Sequence, residues 1–319
     1  MPDAMQTVHT LRRATAQVAM RQTVLLCIKG SLVAHETTLD RWWRWLRATP
    51  FGGRLTCWQS GHSALWRWLA AHDDPLDLHT FLPPPRSAGA PRWIQLADKP
   101  DTPGDGKTTS LLIQDLPPVM GMERASLILL RLPDDTPPAA FTQLGEASLQ
   151  LLPLWWGTAG YAFQNLSGRP DVGARRMVAL AHRHWCVQML DLSALQWDAL
   201  NGLPGAAWLH WIGAAFAERR GTSLEALAQV AAAELPHSVF HRLTPQGLSI
   251  AVGARSHTGD MNLADDLRPY ARAAAVLKPL MLEALTPMAG RLADPELLDA
   301  WMHRFDAPED WLDAAAPDT

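Results

Sequence analysis

The chain has 319 residues, 48 % of them hydrophobic, and a net charge of -4. That length accommodates one large domain or two ordinary ones with a sizeable core. Only four lysines occur, scattered among acids, which argues against a nucleic-acid binder with its basic excess on one face.

The first twenty residues hold no apolar run of about 7–15 residues, so they do not read as a secretory signal. No stretch approaches the roughly 18–20 apolar residues of a membrane span. The expectation is a cytoplasmic protein with no membrane partner. The three cysteines, Cys27, Cys57 and Cys186, are odd in number and form no Cys-x-x-Cys pair. They read as buried free thiols.

In chain order, residues 1–18 read as a flexible arm. TVLLCIKGSLV (23–33) is a strand. Thr38 is the expected N-cap of a helix from Leu39 to about Ala48, stopped by Pro50. GGRLTCWQS (52–60) reads as a strand, followed by a helix from Ser63 to His72. The prolines of 81–91 force a loop, PRWIQLA offers a strand, and 98–108 is a polar loop before a short strand at 111–116. ASLILLRLP (125–133) is a strand, and a helix begins after the two prolines of TPPAAF. A strand at 157–165, a helix at 172–185 and a strand at 206–213 running into AAFAERRG follow. A helix at 223–234, strands near 238–243 and 248–252, and helices at 265–285 and 294–303 complete the chain.

Both halves thus read strand, helix, strand, helix, strand, as an old duplication would leave them. The expected fold class is α+β, with mixed or antiparallel sheets covered by amphipathic helices. The units are an arm at 1–18, a first unit at 19–118 and a second at 119–319 that carries the C-terminal helices. They pack either as two units or as one continuous sheet with helices on one face.

Fifteen tryptophans against two tyrosines need an explanation, and LDRWWRWLRATP (39–50) holds three of them. On a helical wheel Leu39, Trp42, Trp43 and Leu46 fall within an arc of about 100°, opposite Arg41 and Arg44. In the expected helix from Ser63, Leu65, Trp68, Leu69 and His72 share a stripe opposite Arg67. A membrane-surface helix is longer and Lys-rich on its polar face. A nucleic-acid platform puts its aromatics beside the arginines. Core packing fits better than either. Trp45 and Trp66 stand on the flanks, and exposed Trp beside Arg suits a protein–protein anchor.

The sequence holds no G-x-S-x-G, no G-x-G-x-x-G and no phosphate-binding loop, since the GKT of 106–108 lacks a preceding apolar strand. His182 and His184 diverge by about 200° on a helix, and His237 and His241 sit in a strand-like segment, so neither pair reads as a metal site. No metal, cofactor or catalytic residue is expected. The acids of the last segment, set against a single Arg304, alternate with Leu298, Trp301, Met302 and Phe305 as the solvated face of an amphipathic helix. This favours a binding protein over an enzyme.

Several short motifs occur in order: WWGTAGYAFQN (155–165), HRHWCVQMLDL (182–192), GAAWLHWIGAAFAERRGT (205–222), GDMNLADDLRPYARAAAVLKPL (259–280) and AWMHRFD (300–306). Together, over about residues 125–307, they resemble a bacterial family of type VI secretion immunity proteins linked to toxins with VRR-NUC-type nuclease domains. Trp185-Cys186 and Thr222 depart from the family's glycines and alter loop geometry there. The matched residues read as structure. Gly213 and Gly259 suit turns or close approach, and Asp260 and Asn262 suit caps before a helix carrying Tyr270. Trp208 and Trp301 suit the core, and Arg304 beside Phe305 suits an ion pair with Asp306.

The resemblance implies an inhibitor that binds a cognate effector toxin, a nuclease, by steric occlusion. It contacts no nucleic acid directly and is a monomer or small homo-oligomer. Acids would meet the toxin's basic surface. The interface candidates are Trp45, Trp66, Asp98, Asp101, Asp105, Asp299, Glu309 and Asp310. A hydrolase with a pocket of convergent His and acidic residues, or an assembly protein of the same secretion system, are the competing readings.

Overall fold

The computed structural model describes residues 18–61, 63–69, 89–99, 106–165, 170–235, 239–287 and 294–314. Its centre follows from two strands that are apolar at consecutive positions rather than alternately. β1 (Val18–Lys29) turns Val24, Leu26 and Ile28 into one core and Leu25 and Cys27 into another. β6 (Ala125–Leu132) is buried almost throughout. A strand that lacks a polar face has to be covered on both sides. Both cores form, so helices lie on both faces of the sheet rather than on one.

The sheet has ten strands, antiparallel at every pairing between strands. The others are β2 (Cys57–Ser60), β3 (Ser63–Trp68), β4 (Arg92–Ala97), β5 (Ser110–Asp115), β7 (Leu154–Asn165), β8 (Leu209–Gly213), β9 (Val239–Thr244) and β10 (Gly247–Val252). Their spatial order is β3-β2-β4-β5-β6-β1-β7-β8-β10-β9. β1 therefore sits between β6 and β7, with Leu26 opposite Ile128 on one side and Gly157 on the other. The first strand of the first sequence unit is thus the centre of the second, and the two units share one sheet. This is the α+β architecture expected from the alternation of elements.

Nine α-helices are described. They are α1 (Glu36–Arg47), α2 (Pro138–Leu151), α3 (Pro170–Ala181), α4 (Leu192–Asp198), α5 (Ala214–Arg219), α6 (Leu224–Glu234), α7 (Arg268–Leu277), α8 (Pro295–Met302) and α9 (Pro308–Ala314). Leu39, Trp42, Trp43 and Leu46 of α1 are buried against Phe141, Leu144 and Leu149 of α2 and one face of β1. Leu195, Phe216, Leu227 and Leu277 of α4–α7 fill the core on the other face. A third cluster joins Val18 and Met20 of β1 to Val178 of α3 and to Leu297, Leu298 and Trp301 of α8.

Helix α2 shows how the tryptophans are housed. The Trp42 Nε1–H donates to Ser148 Oγ at 2.9 Å, and that hydroxyl donates to Leu144 O at 2.8 Å. Three residues before Ser148, Gly145 leaves room for the Trp211 indole, which a Cβ would meet at 1.7 Å. Two small residues on one helix thus admit one tryptophan from α1 and one from β8.

Three sequence expectations are corrected. The segment from Ser63 is strand β3, not a helix. Ser60 pairs with Ser63, so the chain reverses directly after β2, and Gly61 is the turn signal. Leu65 and Trp68 are consequently exposed, and Arg67 stacks over the Trp58 ring of β2 at 5.4 Å. Thr38 lies inside α1, its hydroxyl donating to His35 O, and the helix starts at Glu36. The helix expected at 265–285 is shorter, because Pro279 cannot continue it and Lys278–Leu280 tightens into a 3-10 turn. Helices α4 and α9 had no counterpart in the sequence reading. The N-terminal arm, apart from Val18, and Asp101, Asp105, His72 and His237 lie outside the described residues. Cys27, Cys57 and Cys186 are buried thiols outside any disulfide, as expected.

Candidate functional site

The motif residues that are far apart in sequence meet in one knot. After α3 the chain runs through His182–Cys186 along the loop that precedes α7. Trp185 N donates to Gly259 O and Cys186 N to Thr258 O, and Met261 N returns a bond to Arg183 O. Gly259 adopts a φ of +65, and a Cβ there would meet the Cys186 sulfur at 2.6 Å, so both its shape and its size are required. Gly213 has an ordinary φ but touches Leu154 O where a Cβ would lie at 2.0 Å.

Asp260 is 1 % exposed and receives two bonds from Arg183, at 2.8 and 2.6 Å. The same carboxylate accepts from the Asn262 N–H at 3.0 Å, capping a 3-10 turn ahead of α7. The Arg183 guanidinium holds its pKa below the usual carboxylate value, against the opposing effect of burial. Tyr270 of α7 is buried, stacks on Phe305 at 6.0 Å and meets the His257 ring edge-on at 5.0 Å.

Arg304 does not pair with Asp306. It is fully buried, donates from Nε to Trp185 O and from Nη1 to Trp301 O, both at 2.8 Å, and lies 4.2 Å above the Trp301 ring. Burial lowers its pKa to about 10, so it stays charged at neutral pH. Asp306 faces Lys278 at 3.7 Å instead. The motif therefore builds a clamp between α8, α7 and the His182–Cys186 segment. Trp208, outside this knot, is buried with its Nε1–H on Gly253 O at 3.2 Å and its ring edge-on to Phe141.

The interface candidates are dispersed. Trp45 is half-buried and packs against the core beside α1. Trp66 is half-buried on β3, at one edge of the sheet. The Asp98 side chain is only 9 % exposed and is held by the Arg54 guanidinium at 3.2 Å and the Thr109 N–H at 3.1 Å, so it serves the local loop. Asp299, Glu309 and Asp310 are exposed on α8 and α9. Asp299 and Asp310 line one shallow groove of about 500 Å³ with Glu296 and Asp306, bordered by Lys278 and His303. Neither tryptophan borders it.

A second, more enclosed pocket of about 420 Å³ lies elsewhere. It opens among Met20 of β1, Tyr161 of β7, the loop before α2, and the loop after β10. His184 lines it, 1 % exposed, with neither ring nitrogen hydrogen-bonded. Burial lowers the pKa of His184, and Asp260 only partly opposes this, so the imidazole is neutral at pH 7. The sequence placed His184 on a helix facing away from His182; α3 ends at Ala181, and the turn after it sends His184 inward. Among the described residues no cluster of His, Cys, Asp or Glu has the make-up of a metal site, and no helix is long and apolar enough to cross a membrane.

No family model matches this sequence, and no curated protein matches it. Among solved structures it is similar to one described as Pseudomonas aeruginosa T6SS protein PA0821. The TM-score is 0.68 at 19 % identity, over 93 % of this chain and 86 % of that one. The likeness establishes a shared fold over nearly the whole chain.

Proposed function

We propose that this chain is an immunity protein of a type VI secretion system, which binds a cognate effector toxin and blocks it by steric occlusion. The observation that carries this reading is the fold shared over 93 % of the chain with a protein described as belonging to that secretion system. The ordered motifs of the C-terminal half point the same way from sequence. Neutralisation of this kind needs affinity and coverage, not catalysis.

The acidic groove of α8 and α9 suits a nuclease toxin. Such a toxin presents a basic surface to DNA, and opposing charge speeds encounter and competes with the nucleic acid. The toxin would act in the cytoplasm, and so would its inhibitor. Co-expression with the proposed effector toxin tests the proposal: growth is expected to be restored and the two proteins to elute together. Undiminished toxicity with no complex refutes it.

A further inference from the structure

The pocket lined by His184 has a charge pattern that selects its occupant. Among the described residues, Asp135 and Asp265 line it against one guanidinium, Arg255. Asp134 and Asp260 also border it but are already engaged, Asp260 by Arg183. Asp265 accepts the Asp260 N–H at 2.8 Å and lies 3.6 Å from His257 Nδ1, which itself accepts the Gly259 N–H at 3.1 Å. Burial holds His257 below its ordinary pKa, so it adds no fixed positive charge at pH 7. The carboxylates are in excess.

The start of α2 borders the same pocket, and a helix start ordinarily favours an anion. Here Pro137 and Pro138 occupy that start and have no N–H to offer, while the Ala140 N–H is used by Pro137 O. His184 is the second, independent sign of a ligand. A buried polar ring without a partner is costly, because it has given up water without gaining a hydrogen bond. A neutral imidazole offers one acceptor nitrogen, which fits an N–H donor. Met20 and Trp208 supply apolar wall for an aliphatic stem. Leu263, which lines the pocket, is 58 % exposed, and neighbouring Met261 is 42 % exposed. An apolar rim around a charged socket is the composition of a protein contact rather than of a site for a free cation.

We propose that this pocket is the socket for a lysine or arginine side chain of the bound toxin, whose N–H groups meet His184 and the carboxylates of Asp135 and Asp265. The inference rests on the immunity reading for the identity of the partner and on the pocket alone for its chemistry.

The experiment has two arms on the full chain. In the first, N-acetyl-arginine amide is titrated while the His184 imidazole is followed by NMR, with inorganic phosphate as the anionic counter-probe. In the second, affinity for the inactivated toxin is measured for wild type, Asp135→Asn, Asp265→Asn and His184→Gln. Asp135 is exposed, so its variant folds whatever the other two do. The expected result is saturable shifts with the arginine probe, none with phosphate, and a tenfold or greater loss of toxin affinity in Asp135→Asn and the other folded variants. Toxin binding that is unchanged in the variants overturns the socket and leaves the immunity reading standing. Arginine-probe binding by a protein that holds no toxin overturns the toxin side chain as the occupant. Shifts with phosphate in place of the arginine probe overturn the charge assignment.

Discussion

Replacing Gly145 with alanine probes the packing that the tryptophan surplus serves. In the middle of an exposed helix the change stabilises by about 1 kcal/mol, because glycine is the poorer helix former. Here the new Cβ falls 1.7, 1.9 and 2.2 Å from Cε2, Cζ2 and Nε1 of Trp211, where ordinary contact is 3.4–4 Å. The indole is 1 % exposed and cannot swing into solvent. Overpacking of this kind costs about 1–3 kcal/mol, and a displacement of more than an ångström belongs at the upper end. The net expectation is a loss of about 2 kcal/mol. Urea unfolding followed by circular dichroism reads it, with Trp211→Phe as the partner substitution. In the Trp211→Phe background, Gly145→Ala should cost at least about 1 kcal/mol less. A stabilised single variant, or equal cost in both backgrounds, would refute the packing argument.

Four further outcomes follow from the structure. Removing Asp115, which is fully buried and accepts from Arg92, Ser31 Oγ and Leu32 N, leaves the Arg92 charge stranded; Asp115→Ala should lower stability by about 3–5 kcal/mol in thermal unfolding. Arg304→Lys cannot serve two carbonyls and stack at once, and should cost about 2 kcal/mol, with a loss below about 0.5 kcal/mol contradicting the clamp. His210 is fully buried and accepts the Ala207 N–H at 2.8 Å, and burial lowers its pKa to about 4. The unfolded chain binds that proton more readily, so stability falls as pH drops from about 6.5 to about 4, by up to about 3 kcal/mol relative to His210→Gln; a pH slope identical in both proteins would contradict it. Reversing the groove with Asp299→Lys and Asp310→Lys should slow toxin association and flatten its salt dependence in stopped-flow measurements, with little effect on dissociation.

What the sequence revealed depended on how local the physics was. The α1 wheel separated buried Trp42 and Trp43 from exposed Arg41 and Arg44 because a helix reports its faces within a few turns. The same wheel misreads SALWRW, a six-residue stretch short enough for either period to accommodate, where the deciding signal is Gly61 and the pairing of Ser60 with Ser63. The consecutive apolar residues of β1 and β6 require two covered faces, which the expectation of helices on one face missed, and strand order depends on contacts far apart in the chain. Arg304 belongs to a motif that the sequence displays, but its partners are not its sequence neighbours: the nearest carboxylate in sequence, Asp306, is not the nearest group in space. His184 and its pocket were invisible for the same reason, being assembled from β1, β7 and two loops.

The proposed immunity function depends on capture of a toxin by this chain. Mixing the purified full chain with a catalytically disabled form of the effector it is proposed to bind, and measuring heat of binding by titration calorimetry, is the decisive test. A saturable one-to-one complex with nanomolar Kd is the predicted result. No heat and no complex at micromolar concentrations of both proteins would contradict it.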